Sequence, residues 1–557
     1  MTSRFDRPRR ARRVSSAAWS CLLGLPLVAS ACIDVAGPAD VDGTGGTSAQ
    51  ASGQAANGSA PLATRAPLRT PRPTPERVEA EVLGFLPNWL VDDAALAIDT
   101  DLLTLLAFHG VEASGDGRLV TTKPSGEVPT GWQALDGDAF VALKAQAQAD
   151  GVRVILTIQR FGWLEGTLER TRALLENRQD RRDLAQRIAR LVVERGFDGV
   201  NLDFEPMPED LADEYVAFVQ EVRAALDEVD PGLHLSVDVV ASLSGYDLAG
   251  LTADDAADLA VIMGYNYRSE GAAVAGATAP LDDPETGDLV TTVDEALAQV
   301  PAEKLVLALP WYAAAWSTES DQPRAATLSG RGIDGAASPS YAEAVALASQ
   351  TGRRYELDQA SAWTAYPSRQ CATCPAVWRQ VWYDDADGFG AKVDHALSKG
   401  LAGVGVWALG QEAGREELWW TLRDRLRPRP DETPPNGSAS IDPESIRGEL
   451  EGLDVVEGVA SLRLFASDTP DGSGLVLTRV GLDGTLAEDG QLVTGRTYPA
   501  TERIEFPLGD VETGGSPEAG PRSIHVQWRD VAGNWSPPLV IQAWAVDPAG
   551  SATPDDL

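Results

Sequence analysis

From residue 82 onward, apolar runs of strand length alternate with stretches of helical period. The runs fall at 82–86, 102–108, 152–158, 200–204, 233–239, 259–265, 305–309 and 403–407. Between them, Leu184, Ile188, Leu191 and Val192 recur at helical spacing before Gly196, a C-terminal stop. Leu211, Tyr215, Phe218, Val219, Val222 and Leu226 mark one face of a following helix. Strand and helix in alternation is the grammar of an α/β fold with a parallel sheet, and eight such strands suffice to close a (β/α)8 TIM barrel, expected here over 78–428. The interval between 309 and 403 is longer than one loop and one helix require. It holds Trp316, Trp363, Trp378, Trp382, Cys371 and Cys374, and predicts an inserted subdomain walling the open end of the barrel.

The pattern changes on both sides of this region. Residues 33–77 are Gly, Ala, Ser, Thr and Pro with almost no large apolar groups, a composition that cannot offset the entropy of ordering, so a flexible tether is expected. A proline-rich linker at 429–445 precedes short β segments at 462–465, 503–506, 524–528 and 539–544. These predict a small all-β sandwich over 446–548, with a disordered tail at 549–557. The turn Val531-Ala532-Gly533-Asn534-Trp535-Ser536 resembles one common in immunoglobulin-like and fibronectin-like modules. Such a module acts as a spacer or as a direct glycan binder, and both roles stay open.

Residues 1–32 look like an export signal. Arg4, Arg7, Arg9, Arg10, Arg12 and Arg13 form a basic head, and a largely apolar run with small residues at its end follows. Val28-Ala29-Ser30-Ala31-Cys32 resembles a bacterial lipoprotein cleavage box, which makes Cys32 the candidate lipidated residue. The expected location is therefore extracytoplasmic, on a membrane through a lipid anchor, with ordinary secretion as the alternative. Export favours oxidation, and Cys371 and Cys374 are too few for a four-ligand zinc site, so a short-range disulfide is expected between them.

Composition narrows the partners. The chain has 557 residues, 43% of them hydrophobic, enough for a barrel and a smaller module each with its own core. Acidic residues number 83 against 46 basic ones, a formal charge of -37, which argues against a nucleic-acid partner and leaves a neutral glycan admissible. A monomer is expected.

The richest chemistry lies at Asp198-Gly199-Val200-Asn201-Leu202-Asp203-Phe204-Glu205. On a strand, Asn201, Asp203 and Glu205 project to one face and Val200, Leu202 and Phe204 to the other. Three polar groups with no cation in the segment do not serve packing. Neighbouring carboxylates raise each other's pKa, so one can stay protonated near neutral pH and act as an acid. Glu205 sits where the strand must end, before Pro206 and Pro208, and strand C-terminal ends carry the active sites of such barrels. On the last strand Gly403, Gly405 and Trp407 share a face, so an aromatic ring stands over two vacant positions and could stack on a sugar. Met263, Tyr265 and Tyr267 share a face on the sixth.

In this setting the acidic string resembles the active-site signature of glycoside hydrolase family 18, the chitinase and endo-β-N-acetylglucosaminidase family. Gly84-Phe85-Leu86-Pro87-Asn88-Trp89 resembles the family's first strand and Ala107-Phe108 its second. Met263-Gly264-Tyr265-Asn266 resembles the sixth, Leu309-Pro310-Trp311-Tyr312 the seventh, and Gly403-Val404-Gly405-Val406-Trp407 the eighth. The resemblance implies hydrolysis of β-1,4 bonds next to N-acetylglucosamine, in chitin oligomers or peptidoglycan, by a retaining, substrate-assisted route without metal or organic cofactor. It assigns Glu205, Asp203, Tyr265 and Asn201 to catalysis, and Trp407, Asp198, Met263, Asn266, Trp89, Trp311 and Tyr312 to substrate binding. Asn201 replaces a third aspartate found in many chitinases, as in the branch resembling spore-cortex and peptidoglycan glucosaminidases. The third strand, ending Thr157-Ile158-Gln159-Arg160-Phe161-Gly162, lacks a Ser-x-Gly-Gly element, which argues against processive attack on crystalline chitin. The alternatives are a non-catalytic glycan-binding barrel and a surface protein acting through its sandwich; an intact acid pair favours the enzyme.

Overall fold

The alternation of apolar strands and amphipathic helices closes into a barrel in the structure, a computed structural model describing residues 80–546 apart from 92–97, 165, 427–431 and 469–473. The expected export signal with Cys32, the tether and the tail lie outside the described residues. Strands β1 (Glu81–Pro87), β2 (Leu105–Glu112), β3 (Arg153–Phe161), β4 (Gly199–Glu205), β5 (His234–Val240), β6 (Leu259–Met263) and β7 (Leu305–Pro310) run in parallel around the axis. The chain then departs into an antiparallel sheet, β8 (Ala314–Thr318), β9 (Arg354–Glu356), β10 (Ser361–Ser368) and β11 (Val377–Tyr383), ordered β8-β11-β10-β9. It returns as β12 (Gly403–Trp407), which pairs with β1 and β7 and closes the ring.

Side-chain alternation sorts each strand into two layers. On β4, Val200, Leu202 and Phe204 join the outer core under the helices, which includes Leu184, Ile188, Tyr215, Phe218 and Val222. Inward residues of other strands, Leu83, Phe85, Leu105, Ala107, Ile155, Val261, Met263, Val306 and Ala308, form a separate packed core inside the barrel. The barrel is therefore filled below and open only at the C-terminal ends of its strands.

Three boundaries differ from expectation. Leu102 and Leu103 are buried ahead of β2 rather than in it, and the strand runs on past Phe108 through His109, with a register shift around Gly110. The sixth strand stops at Met263, because the chain turns at Gly264. A Cβ there would lie 2.6 Å from Leu289 Cδ2 and 3.0 Å from the Ala308 carbonyl oxygen. Within the expected linker, β13 (Asn436–Ile441) already pairs with β16 (Val459–Ser467). Its polar residues Ser438 and Ser440 point outward while Ile441 is buried, so its composition reads as linker although it is strand.

The C-terminal part has a three-stranded sheet, β13-β16-β19, and a six-stranded sheet, β14-β15-β21-β20-β17-β18. Here β14 is Ile446–Leu450, β15 Leu453–Glu457, β17 Leu475–Gly481, β18 Arg496–Pro499, β19 Arg503–Pro507, β20 Gly520–Asp530 and β21 Leu539–Val546. Leu462, Ile504, Phe506, Ile524 and Trp528 form its core. It packs against the barrel's insertion. Asp387 pairs with Arg353 at 2.8 Å and also with Arg529 of β20. The Arg353 N–H donates to the Thr497 carbonyl at 2.9 Å, Arg415 Nη2 donates to the Ala500 carbonyl at 3.0 Å, and Ala386 packs on Val476 and Leu477.

Candidate active site

The open end of the barrel is a cleft of about 920 Å³. The ends of β1 to β6 and β12 supply its floor, with Tyr312 just past β7. The insertion supplies one wall through Ala314, Trp316, Ala336, Ala337 and Ser338, the role expected for the 309–403 interval. Trp316 belongs to a buried cluster in which Trp363 and Trp382 stack at 4.9 Å with ring planes 5° apart, so that wall is stiff.

At the centre of the floor lie Asp203 and Glu205, two positions apart on β4 and both facing the cleft. Asp203 is buried, and its Oδ2 lies 3.2 Å from His109 Nε2. His109 is caged by aromatic rings, Trp407 edge-on at 4.8 Å, Phe161 at 6.2 Å and Trp89 at 6.3 Å. Glu205 is half-buried. Burial first, and then the charge of Asp203, push its carboxyl up to about 8, against a hydrogen bond from the Trp163 side chain that favours the ionised form. A carboxyl titrating there is still largely protonated at neutral pH and can donate a proton.

Around this pair, Met263, Tyr265 and Trp407, expected from their strand faces, line the cleft together with Asn266, Tyr312 and Trp89, which only the resemblance implied. Burial keeps the Tyr265 phenol protonated, well above the ordinary tyrosine value. Its ring meets Tyr312 edge-on at 6.0 Å, and the Tyr312 hydroxyl donates to Asn266 Oδ1 at 2.7 Å. Trp407 stands at the end of β12 beside Phe85, ring centroids 5.8 Å apart. Trp89 and Trp163 are 60% and 53% exposed at the mouth, large apolar faces left open to whatever enters. The short disulfide joins Cys371 to Cys374, with Cα atoms 5.0 Å apart, on the turn between β10 and β11 and not among the cleft residues.

Three expected site residues lie elsewhere. Asp198 precedes β4 at the closed end of the barrel, where its Oδ2 accepts from the Val154 N–H at 2.9 Å and from Gln148 Nε2 at 2.8 Å. It ties the entry of β4 to β3 and does not reach the cleft. Trp311 is fully buried among Trp419 at 4.9 Å and Phe389 at 6.0 Å. Just past the end of β7 its ring points outward to the helices. Asn201 is fully buried below Asp203, where Ser236 Oγ donates to its Oδ1 and its Nδ2 donates to Asp238 Oδ2, both at 2.7 Å.

Three residues of the site were not anticipated: His109, Asp238 and Trp163. Asp238 is buried, lines the cleft, and is pushed well above the ordinary carboxylate range by burial and by the charge of Asp203. The signal for it is the alternation His234, Ser236, Asp238 against Leu235, Val237, Val239, one polar and one apolar face on β5. Beside the insertion, Arg268 is buried in an ion pair with Asp283, which also binds Arg324 of the insertion at 3.3 Å.

Residues 81–412 match the family model for glycosyl hydrolases family 18. Among curated proteins, the chain is 26% identical over 241 residues to a protein named as a sporulation-specific glycosylase, YdhD of Bacillus subtilis, covering 42% of this chain and 52% of that one. It is 26% identical over 261 residues to di-N-acetylchitobiase of Mus musculus, covering 41% and 68%. The chain thus spans about half to two thirds of the length of these relatives. Among solved structures, a chitinase from Cycas revoluta in complex with (GlcNAc)4 superposes with a TM-score of 0.52 at 22% identity, over 62% of this chain and 99% of that one. The cell-surface chitinase ChiW of Paenibacillus superposes with a TM-score of 0.55 at 15% identity, over 84% and 57%. At these identities the superpositions speak for the fold.

Proposed function

Because the chain belongs to glycosyl hydrolase family 18, we propose that it cleaves β-1,4 glycosidic bonds next to N-acetylglucosamine, with retention and with the substrate's own acetamido group as nucleophile. The observation that carries this reading is the pair on β4. Glu205 holds a proton at neutral pH, and Asp203 stands beside it on the same face of the strand at the open end of the barrel.

Each step draws on a group in the cleft. Glu205 protonates the glycosidic oxygen as its bond to the anomeric carbon breaks, and the acetamido oxygen attacks that carbon to close an oxazolinium ring. Asp203 accepts the acetamido N–H and balances the positive charge of the ring. The Tyr265 hydroxyl donates to the acetamido oxygen and orients it. Glu205, now a carboxylate, removes a proton from water, which opens the ring and restores the acid. Trp407 offers the face on which a sugar ring stacks, and Trp89 and Trp163 extend the apolar surface toward the mouth.

Chitin oligomers and peptidoglycan glycan strands both carry the required sugar. The chitobiase relative supports the first of these classes. The leader ending at Cys32 supports export with a lipid tether; Cys32→Ser should release the protein from membranes. For the activity, the purified chain should release reducing ends from chitin oligosaccharides or from peptidoglycan strands, and Glu205→Gln should abolish release while sparing binding. Tight binding with no turnover of any N-acetylglucosamine polymer would replace the enzyme with a glycan-binding barrel.

A further inference from the structure

Strands β4 and β5 run side by side with Asn201 opposite Ser236 and Leu202 opposite Val237. One step further, the same register sets Asp203 next to Asp238, on backbones about 5 Å apart. Both side chains are buried, and both line the cleft. One oxygen of each is engaged: Asp203 Oδ2 with His109 Nε2 at 3.2 Å, Asp238 Oδ2 with Asn201 Nδ2 at 2.7 Å. The other oxygen of each, Oδ1, is buried and finds no hydrogen-bond partner among the described residues. Two buried carboxyls side by side cannot both ionise cheaply, since each negative charge raises the cost of the other.

No positive charge among the described residues acts on Asp238. The titratable groups acting on Asp238 are Asp203 and Glu205 from β4, and it in turn acts on Tyr265 beyond β6 and on Tyr215 and Tyr246 of the outer layer; none is a cation. His109 reaches Asp203 and not Asp238. Asn201 cannot supply or take a proton at this step, and its amide is fixed by its bonds to Ser236 and Asp238. Because Asn201 donates to Asp238 Oδ2, that oxygen is the carbonyl oxygen of the acid, which leaves Oδ1 to carry a proton.

We propose that Asp238 and Asp203 share one proton and act as a unit with a single negative charge, with Asp238 as the positioning residue that sets the charge state of Asp203. This rests on the substrate-assisted reading above. As the cationic ring forms, the proton lies on Asp238 Oδ1 and Asp203 faces the ring as a full carboxylate. When water opens the ring, the proton is shared again, and none is gained or lost by the pair over the cycle. Burial and the Asp203 charge, which raise Asp238, act in the same direction.

The decisive measurement needs no substrate. In full-length Glu205→Gln, which removes the other protonated acid of the cleft, infrared spectroscopy at neutral pH should find the C=O stretch of a protonated carboxyl. That band should vanish on adding Asp238→Asn, and otherwise persist to a pH well above that of an ordinary carboxylate. In the otherwise wild-type chain, Asp238→Asn keeps the shape and the bond to Asn201. It should lower kcat about tenfold with KM changed less than about twofold, the mark of an interaction made in the transition state. The double variant Asn201→Asp/Asp238→Asn, which returns a carboxyl to the next inward position on β4, should recover most of that loss. Absence of the band at neutral pH overturns the proposal, even if Asp238→Asn does not fold. So does an unchanged kcat and pH profile in a folded Asp238→Asn. A band present in a chain that turns over no glycan supports the shared proton and overturns only the functional reading.

Discussion

Glu205→Gln should make the folded chain more stable at alkaline pH while it abolishes turnover. The Glu205 carboxyl is raised from 4.5 to about 8, chiefly by burial and then by the charge of Asp203. Between those two values the folded chain holds a proton that the unfolded chain has lost, so wild-type stability falls as pH rises through the window. At about 1.4 kcal/mol per pH unit, the full window amounts to about 5 kcal/mol. The cleft is open to water on one side, which discounts this by roughly half, to about 2 to 3 kcal/mol. Glutamine has the same shape and does not titrate, and Asp238 is present in both chains, so most of its own titration cancels in the difference. Urea unfolding of the two proteins at a series of pH values from about 5 to 9 measures the gap directly. The variant's advantage should grow by about 2 to 3 kcal/mol across the series. A gap that does not change with pH would refute burial as the cause of the raised pKa, and with it the supply of an acid at neutral pH.

The same carboxyl should set the alkaline limb of kcat/KM near pH 8, and Asp203→Asn should move what limb remains to lower pH, because it removes the second cause of the elevation. Trp407→Ala should weaken oligosaccharide binding about fivefold, the equivalent of about 1 kcal/mol of stacking, as read by calorimetry in the Glu205→Gln background. Asp283→Ala should cost about 3 to 5 kcal/mol of stability, since it strands the buried Arg268 guanidinium without its partner; thermal unfolding would register the loss.

The barrel was legible because its strands carry mainly apolar faces toward the helices, and β4 could be read to the residue because its polar face is unusually acidic. What escaped the sequence reading escaped for related reasons. His109 lies one residue past an apolar run that reads as ending at Phe108, although the alternation Leu105, Ala107, His109 continues on the inward face. Asp238 sits in a run of valines that reads as wholly buried, and only a strict two-residue count separates its polar face from its apolar one. The resemblance assigns Asp198 and Trp311 to the site because both sit in its motifs. Asp198 falls at the opposite end of its strand and Trp311 on the opposite side of the barrel wall, and in each case the backbone direction decided what the side chain could reach.

The packing of the C-terminal sheets against the insertion bears on where this protein can be cut. Gly474 has φ +92°, and a Cβ there would lie 2.4 Å from the Trp420 ring, so the backbone of one part rests directly on an indole of the other. Asp387 is held from both sides at once, by Arg353 and by Arg529. Truncation at the proline-rich segment would leave that indole, Ala386 and a broken arginine–carboxylate chain facing water. The stretch most tempting to a protease or an engineer divides the composition of the chain, while the smallest piece expected to stay soluble runs across it.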